Sequence, residues 1–264
     1  MTAVLSSTEN DLYAYPLPIV VWSWYKIGIK CIVFTPETEG DKIKLAKQAC
    51  GDMATFYTFK CEERKEATYC QTSRLFGATV CDDENEILIT GDADLAVFGN
   101  EFDCFKDGEV RVIGADLLSE EMNQFPMCFI GMPVKKWKDI FCLDGDTLQS
   151  ALDDTVGNLE SATFRSDFWC YDQWLAYETI SRSGVKVFKN ERAKMPERFA
   201  TRRYDRDDQF ILERLSPDMI DFHLPRPGYD PKNFEIIMTI LKYHYPYENF
   251  DWLISYNNAY KQLL

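Results

Sequence analysis

The sequence predicts an α/β fold, a single domain over residues 1–264 in which a mostly parallel, Rossmann-like central sheet is flanked by helices. Three observations predict it. Strand-like and helix-like segments alternate through the first hundred residues. The strands read as nearly continuous apolar runs, as strands covered on both faces do. No repeat, low-complexity tract or linker divides the chain. Of the 264 residues 46% are hydrophobic, enough to bury a real core and to exclude intrinsic disorder.

Ala3 to Ser6 is the first strand, running into the polar turn Ser7-Thr8-Glu9-Asn10 and a Tyr13, Tyr15, Pro16 cluster. Ile19 to Ile27 has helical apolar spacing, and Gly28 ends it. Lys30 to Phe34 is a β-rich run broken by Thr35-Pro36, and Asp41 to Cys50 is an amphipathic helix. Thr55 to Lys60, Arg64 to Phe76 and Glu86 to Thr90 continue as strand, helix and strand. Cys128 to Gly131 is a later strand ending ahead of Met132-Pro133, and Ser166-Asp167 caps a helix running through Ile180. Lys135, Lys136 and Lys138 read as a solvated helix face, residues 202–208 as a mixed-charge surface loop, and His244 as packing at a helix end. In such a sheet ligands belong at the carboxyl ends of the strands.

Composition narrows the chemistry. With 29 basic and 43 acidic residues the formal charge is −14, which repels phosphate backbones and anionic surfaces, so no nucleic acid partner is expected. The chain has no uncharged apolar run of about 18 residues and no basic N-terminal region followed by an apolar core, so no membrane insertion and a cytoplasmic location are expected. Nine scattered cysteines without a Cys-x-x-Cys pair read as small buried hydrophobes in a reducing compartment. The two histidines, His223 and His244, leave hydrolases of the Ser-His-Asp kind few bases. The chemistry is therefore expected to rest on carboxylates.

The central strand ends in Gly91-Asp92-Ala93-Asp94. Carboxylates at i and i+2 on an extended segment point to one side, where a slight bend lets both meet one hard divalent cation. An acidic turn after a strand is the plain alternative. The apolar strand before the pair and Leu95 to Phe98 after it set it apart from a solvated charge run.

In their order, Val4 to Thr8, Tyr15-Pro16, the Trp22 to Gly28 helix, Gln71-x-x-Arg74-Leu75-Phe76 and Ile87 to Asp94 resemble the GT-A nucleotide-sugar glycosyltransferases. The likeness spans most of the chain, and a narrower one is to the small GT-A domains of large algal DNA viruses. It implies a metal-dependent enzyme moving a hexose from a UDP-sugar, UDP-glucose or UDP-galactose favoured, to a glycan acceptor hydroxyl, with inversion. Residues 1–100 would form the nucleotide-sugar half and 101–264 the acceptor half. The resemblance implies donor contacts from Ser6, Thr8, Tyr13, Arg74, Asp92 and Arg226, and Mn²⁺ or Mg²⁺ held by Asp92, Asp94 and His223. Asp94 is the first choice for direct ligation, with Asp92 closer to the ribose or a metal-bound water.

His223 lies in Asp221 to Gly228, which two prolines hold extended; its alternative is packing against Phe222 and a proline. Arg226 suits a diphosphate oxygen bidentately. Asp172 is the implied catalytic base, with Asp167 as substitute, and a capping or solvated carboxylate is its alternative. Asp172-Gln173 also resembles the Asp-Gln of retaining GT-A enzymes, so retention stays open. Gly131 would admit a sugar. A sugar nucleotidyltransferase is the rival enzyme, although it usually opens with a Gly-rich loop. A binding module whose acidic pair only decorates a turn is the rival outside catalysis.

Overall fold

In the computed structural model, which describes residues 1–38, 40–99, 101–115, 122–157, 159, 170–190, 203–204, 209 and 211–264, strand and helix alternate from the start. The order is β1 (Thr2–Ser6), α1 (Asp11–Ala14), α2 (Leu17–Lys26), β2 (Lys30–Pro36), α3 (Asp41–Cys50), β3 (Ala54–Phe59), α4 (Glu66–Ser73) and β4 (Ile87–Thr90). Gly28 follows α2 with φ at +81°, a left-handed conformation that a Cβ would strain. β2 does not break at Thr35: Thr35 and Pro36 stay in register with Thr58 and Phe59, because a proline ending a strand withholds only its own donor. The helix expected through Phe76 is shorter, since α4 tightens at Arg74 into a 3₁₀ stretch kinked at Phe76.

β5 (Leu95–Val97), β6 (Val110–Ile113), β7 (Ile130–Pro133), α5 (Val134–Phe141), α6 (Leu148–Leu152), α7 (Tyr171–Arg182), β8 (Val187–Asn190), β9 (Arg203–Tyr204), β10 (Asp221–His223), α8 (Pro231–His244) and α9 (Asp251–Lys261) complete the order. α7 begins at Tyr171 with Cys170 at its cap and no side-chain cap bond. The Ser166-Asp167 cap, Asp167 with it, lies outside the described residues, as does most of the 202–208 run. A seven-stranded sheet runs β3-β2-β1-β4-β7-β6-β8. Only β7 opposes its neighbours β4 and β6. A second sheet, β5-β10-β9, stands beside it.

Alternation along the strands divides the core in two. Ala3, Leu5, Val33 and Ile89 face α2, α3, α8 and α9, while Val4, Ile32, Phe34 and Leu88 face α4 to α7. Of the cysteines, Cys31, Cys50, Cys70 and Cys128 are buried and Cys142 is exposed, fewer buried than the sequence suggests. His244 stacks on Phe98 with ring centroids 3.9 Å apart, and burial pulls its pKa down to about 4, so it packs as a neutral ring. Among the described residues no helix is long and apolar enough to cross a membrane.

Gly131 does not open onto a ligand. A Cβ there would sit 2.3 Å from Cδ1 of Phe105, a buried ring of the core, so the glycine admits this aromatic side chain instead of a sugar. Gly131→Ala should therefore destabilise the protein by about 1–3 kcal/mol through overpacking, read from the midpoint of urea unfolding. An unchanged midpoint would contradict this packing.

Candidate active site

At the carboxyl ends of β1 and β4 a cavity of about 350 Å³ opens between the β1 loop, α4, the β4–β5 turn, α7 and the loop after β10. Ser6, Thr8, Tyr13, Arg74, Asp92, Asp94, Asp172, His223 and Arg226 all line it, together with Ser7, Asn10, Cys70, Gln71 and Gln173. The folds of the backbone that bring them together have local causes. After β1 ends, Glu9 accepts hydrogen bonds from Ile43 N at 2.9 Å and Lys42 N at 3.3 Å, using the unsatisfied donors of the first turn of α3. Asn10 Oδ1 caps α1 by accepting from Leu12 N at 3.0 Å. Behind this loop the Tyr260 hydroxyl donates to Asp11 at 2.8 Å, and Tyr256 donates to the carbonyls of Ala14 and Tyr15.

β4 passes into the acidic turn through Gly91, where a Cβ would lie 2.7 Å from Cδ2 of Leu5. That glycine is required by the core and not by a ligand. The turn is then held by the small sheet. β10 runs antiparallel to β5 with His223 opposite Leu95, and Leu224 N donates to Asp94 O at 2.9 Å. Two strands distant in sequence thereby bring an imidazole to the rim where Asp94 stands.

Two arginines organise the charge. Arg74 is buried and donates from Nη1 to Asp92 Oδ1 and from Nη2 to Asp172 Oδ2, both at 2.5 Å. It also reaches the carbonyl of Gly91 at 3.0 Å and, from Nε, that of Gln71 at 3.2 Å. Burial alone would lower the pKa of Arg74, but Asp172 and Asp92 outweigh it and hold the guanidinium more firmly charged than usual. Asp172 is 1% exposed. Burial pushes its carboxyl above the ordinary range against the pull of Arg74, and its Oδ1 accepts from Gln173 N at 2.9 Å.

Arg226 donates from Nη2 to Asp94 Oδ2 at 2.6 Å, and its guanidinium carbon lies 4.8 Å from the Tyr13 ring centroid. Its Nε is buried without a hydrogen-bond partner. His223 Nε2 stands 3.6 Å from the same Asp94 oxygen, beyond hydrogen-bond distance. Burial raises the Tyr13 hydroxyl pKa although Arg226 opposes it. Gln173 lines the cavity while its Oε1 is buried and unpartnered. The sequence reading passes over Gln71 and Gln173 as separate site residues. The spacing Gln71-x-x-Arg74 puts both on one helical face, a signal that was available for the first.

Among the described residues no three His, Cys, Asp or Glu side chains are already gathered as a metal cluster. The donors nevertheless fit a divalent ion. Neighbouring ligands of an octahedral ion at roughly 2.1 Å lie about 3 Å apart, so Asp94 Oδ2 and His223 Nε2, at 3.6 Å, need to close by about half an ångström once Arg226 withdraws. The carboxylate oxygen suits either Mn²⁺ or Mg²⁺, and the imidazole nitrogen favours Mn²⁺, the softer of the two. Asp92 shares the rim with its Oδ1 turned to Arg74.

No protein-family model and no curated protein sequence matches the chain. In solved structures, the chain is similar to the galactosyltransferase LgtC, determined with donor and acceptor sugar analogues, at 13% identity and a TM-score of 0.50, covering 91% of this chain and 95% of that one. It also matches the glycosyltransferase GlyE of Streptococcus pneumoniae at 10% identity and a TM-score of 0.47, covering 99% of this chain and 63% of that one. The likeness to LgtC is one of fold: this is a GT-A fold, a mostly parallel seven-stranded sheet with flanking helices.

Arg74→Met would strand Asp92 and Asp172. Breaking a buried pair from one side costs about 3–5 kcal/mol. The Asp172 carboxyl, already raised by burial, would rise further. A carboxyl raised on folding adds no penalty below its unfolded pKa, about 4, and an increasing one as pH climbs through its folded value. The deficit of Arg74→Met should thus be largest near neutrality and shrink toward pH 4–5, measured by urea unfolding across that range. A pH-independent deficit would speak against the clasp.

Proposed function

We propose that the chain is a metal-dependent glycosyltransferase that moves a hexose from a UDP-sugar, UDP-glucose or UDP-galactose, to a hydroxyl of a glycan acceptor. One observation carries the reading: Asp92, Asp94, Asp172, His223, Arg74 and Arg226 converge on one cavity at the carboxyl edge of a GT-A sheet, beside the loop that leaves β1. Donor and acceptor sugar analogues were bound to LgtC, whose fold this is. The β1–α1 loop contains no glycine, which disfavours a nucleotidyltransferase of the Gly-rich-loop kind. A turn that was merely decorative would not bury Asp94 to 3% exposure.

In this reading Ser6, Thr8 and Tyr13 hold the nucleoside, Arg226 takes diphosphate oxygens, and Arg74 keeps Asp92 and Asp172 oriented along the donor side of the cavity. Three carboxylates meet two guanidiniums in the cavity wall, leaving an excess negative charge that no diphosphate enters alone. Mn²⁺ or Mg²⁺ held by Asp94 and His223, with Asp92 nearby, would supply the missing positive charge and act as a Lewis acid on the leaving diphosphate.

Inversion assigns Asp172 as the base that takes the acceptor proton. The clasp by Arg74 favours a second reading. A carboxylate that already accepts from a buried guanidinium and from Gln173 N and is 1% exposed offers an acceptor hydroxyl little access, whereas retention through front-face attack assisted by the leaving diphosphate asks no proton of it.

Calorimetry with UDP should show binding in the presence of Mn²⁺ that is weak or lost without it, and Asp94→Ala should abolish the metal-dependent part. Parent protein that binds no nucleotide with Mn²⁺ while demonstrably folded would sink the proposal. Proton NMR of the product distinguishes the two stereochemical readings. A β-linked product from an α-linked donor, with Asp172→Asn lowering kcat by about 10²-fold or more, supports Asp172 as base. An α-linked product assigns that residue to positioning.

A further inference from the structure

We propose that Arg226 is the resident counter-cation of Asp94, displaced when a divalent ion binds and taken up by the diphosphate, so that metal and nucleotide bind interdependently. The inference rests on the reading of the cavity as a metal–nucleotide site, and it assigns one residue the task of coupling the two ligands.

The argument begins with burial. Asp94 is 3% exposed, and a carboxylate so far from water is costly unless a positive partner meets it. His223 at 3.6 Å is too distant to hydrogen-bond it. Arg226 at 2.6 Å is the partner that neutralises it. Asp94 Oδ2 therefore faces two competitors, because the oxygen bonded to Arg226 is also the one nearest His223 Nε2. An ion shared between Asp94 and His223 takes that oxygen from Arg226.

The second observation is that Arg226 is incompletely served where it stands. Its Nε is buried with no hydrogen-bond partner, although a guanidinium presents a fork of donors matched to paired oxygens. The Tyr13 ring lies 4.8 Å from the guanidinium carbon, and Arg226 is among the residues that line the cavity. A diphosphate arriving with the metal offers the guanidinium a bidentate acceptor in place of the Asp94 oxygen.

Interdependence follows by linkage. A metal ion entering alone must break the Asp94–Arg226 pair and leave the guanidinium without a carboxylate, with the Tyr13 hydroxyl as its remaining partner. Entering with a diphosphate, it breaks the same pair and the guanidinium is satisfied again. Each ligand then strengthens the other by the same factor. The residue that would otherwise be counted only as a phosphate contact also restrains the empty site from capturing a stray divalent ion.

The test is binding of Mn²⁺ without nucleotide, read from the electron paramagnetic resonance of the free ion, and of UDP in saturating Mn²⁺. Arg226→Met should bind Mn²⁺ alone about tenfold more tightly than the parent and bind UDP with Mn²⁺ about tenfold more weakly, within the usual range of such couplings. Arg226→Lys, which keeps the charge and loses the fork, should fall between. In parent protein labelled with ¹⁵N-arginine, the Arg226 Nε–H resonance should move when Mg²⁺ and UDP are added together. Arg226→Met that is folded by circular dichroism and binds Mn²⁺ no more tightly than the parent overturns the proposal, as does a resonance unmoved by Mg²⁺ with UDP. If the parent binds Mn²⁺ and UDP together and either result appears, only this inference falls. If the parent binds neither, the glycosyltransferase reading falls and takes the inference with it.

Discussion

Arg74 joins pieces of the chain that lie far apart in sequence. Its guanidinium reaches Asp92 at the end of the central strand, Asp172 in the first turn of α7 and the carbonyl of Gly91, so the acidic turn and the opening of a helix some eighty residues later share one buried cation. A buried guanidinium is tolerable only while its donors are met, and Gln71 O accepts from the fourth direction. The position of Asp172 in the cavity wall is thus a consequence of charge neutralisation and not of helix packing alone. The same clasp gives the Asp172 carboxylate a structural partner.

The second arginine acts in the opposite sense. Arg74 meets four acceptors, whereas Arg226 meets Asp94 and leaves a buried Nε without an acceptor. The small sheet makes this possible, since the pairing of β10 with β5 carries His223 and the following loop across the mouth of the cavity. The two guanidiniums of the cavity thus differ in how far their donors are used.

Much of the fold was legible because the first hundred residues obey local rules. Apolar runs bounded by the Ser7-Thr8-Glu9-Asn10 turn, Gly28 and Thr35-Pro36 mark β1, α2 and β2 within a few residues, and amphipathic spacing marks α3. The antiparallel course of β7 was not legible, since a four-residue apolar run carries no sign of direction. The small sheet was equally hidden, because its strands are two to four residues long and exist only through their pairing. In the cavity, the acidic pair and His223 stood out by residue type and by resemblance, and the fold brings them to one rim. The Arg74–Asp172 pair spans 98 positions and has no local signature. Gly131 reads from the sequence as an opening for a sugar because a glycine marks close approach without saying what approaches; Phe105 fills that space.

α1, which follows the loop that leaves β1, is held by Tyr256 and Tyr260 of α9 through Asp11 and the carbonyls of Ala14 and Tyr15, contacts that close over about 240 positions of sequence. Closing so long a loop is entropically slow and is rewarded only after the intervening sheet exists. The first helix therefore reaches its final contacts only once the polypeptide near residue 260 is present and docked, so the N-terminal end of the fold depends on the C-terminal one.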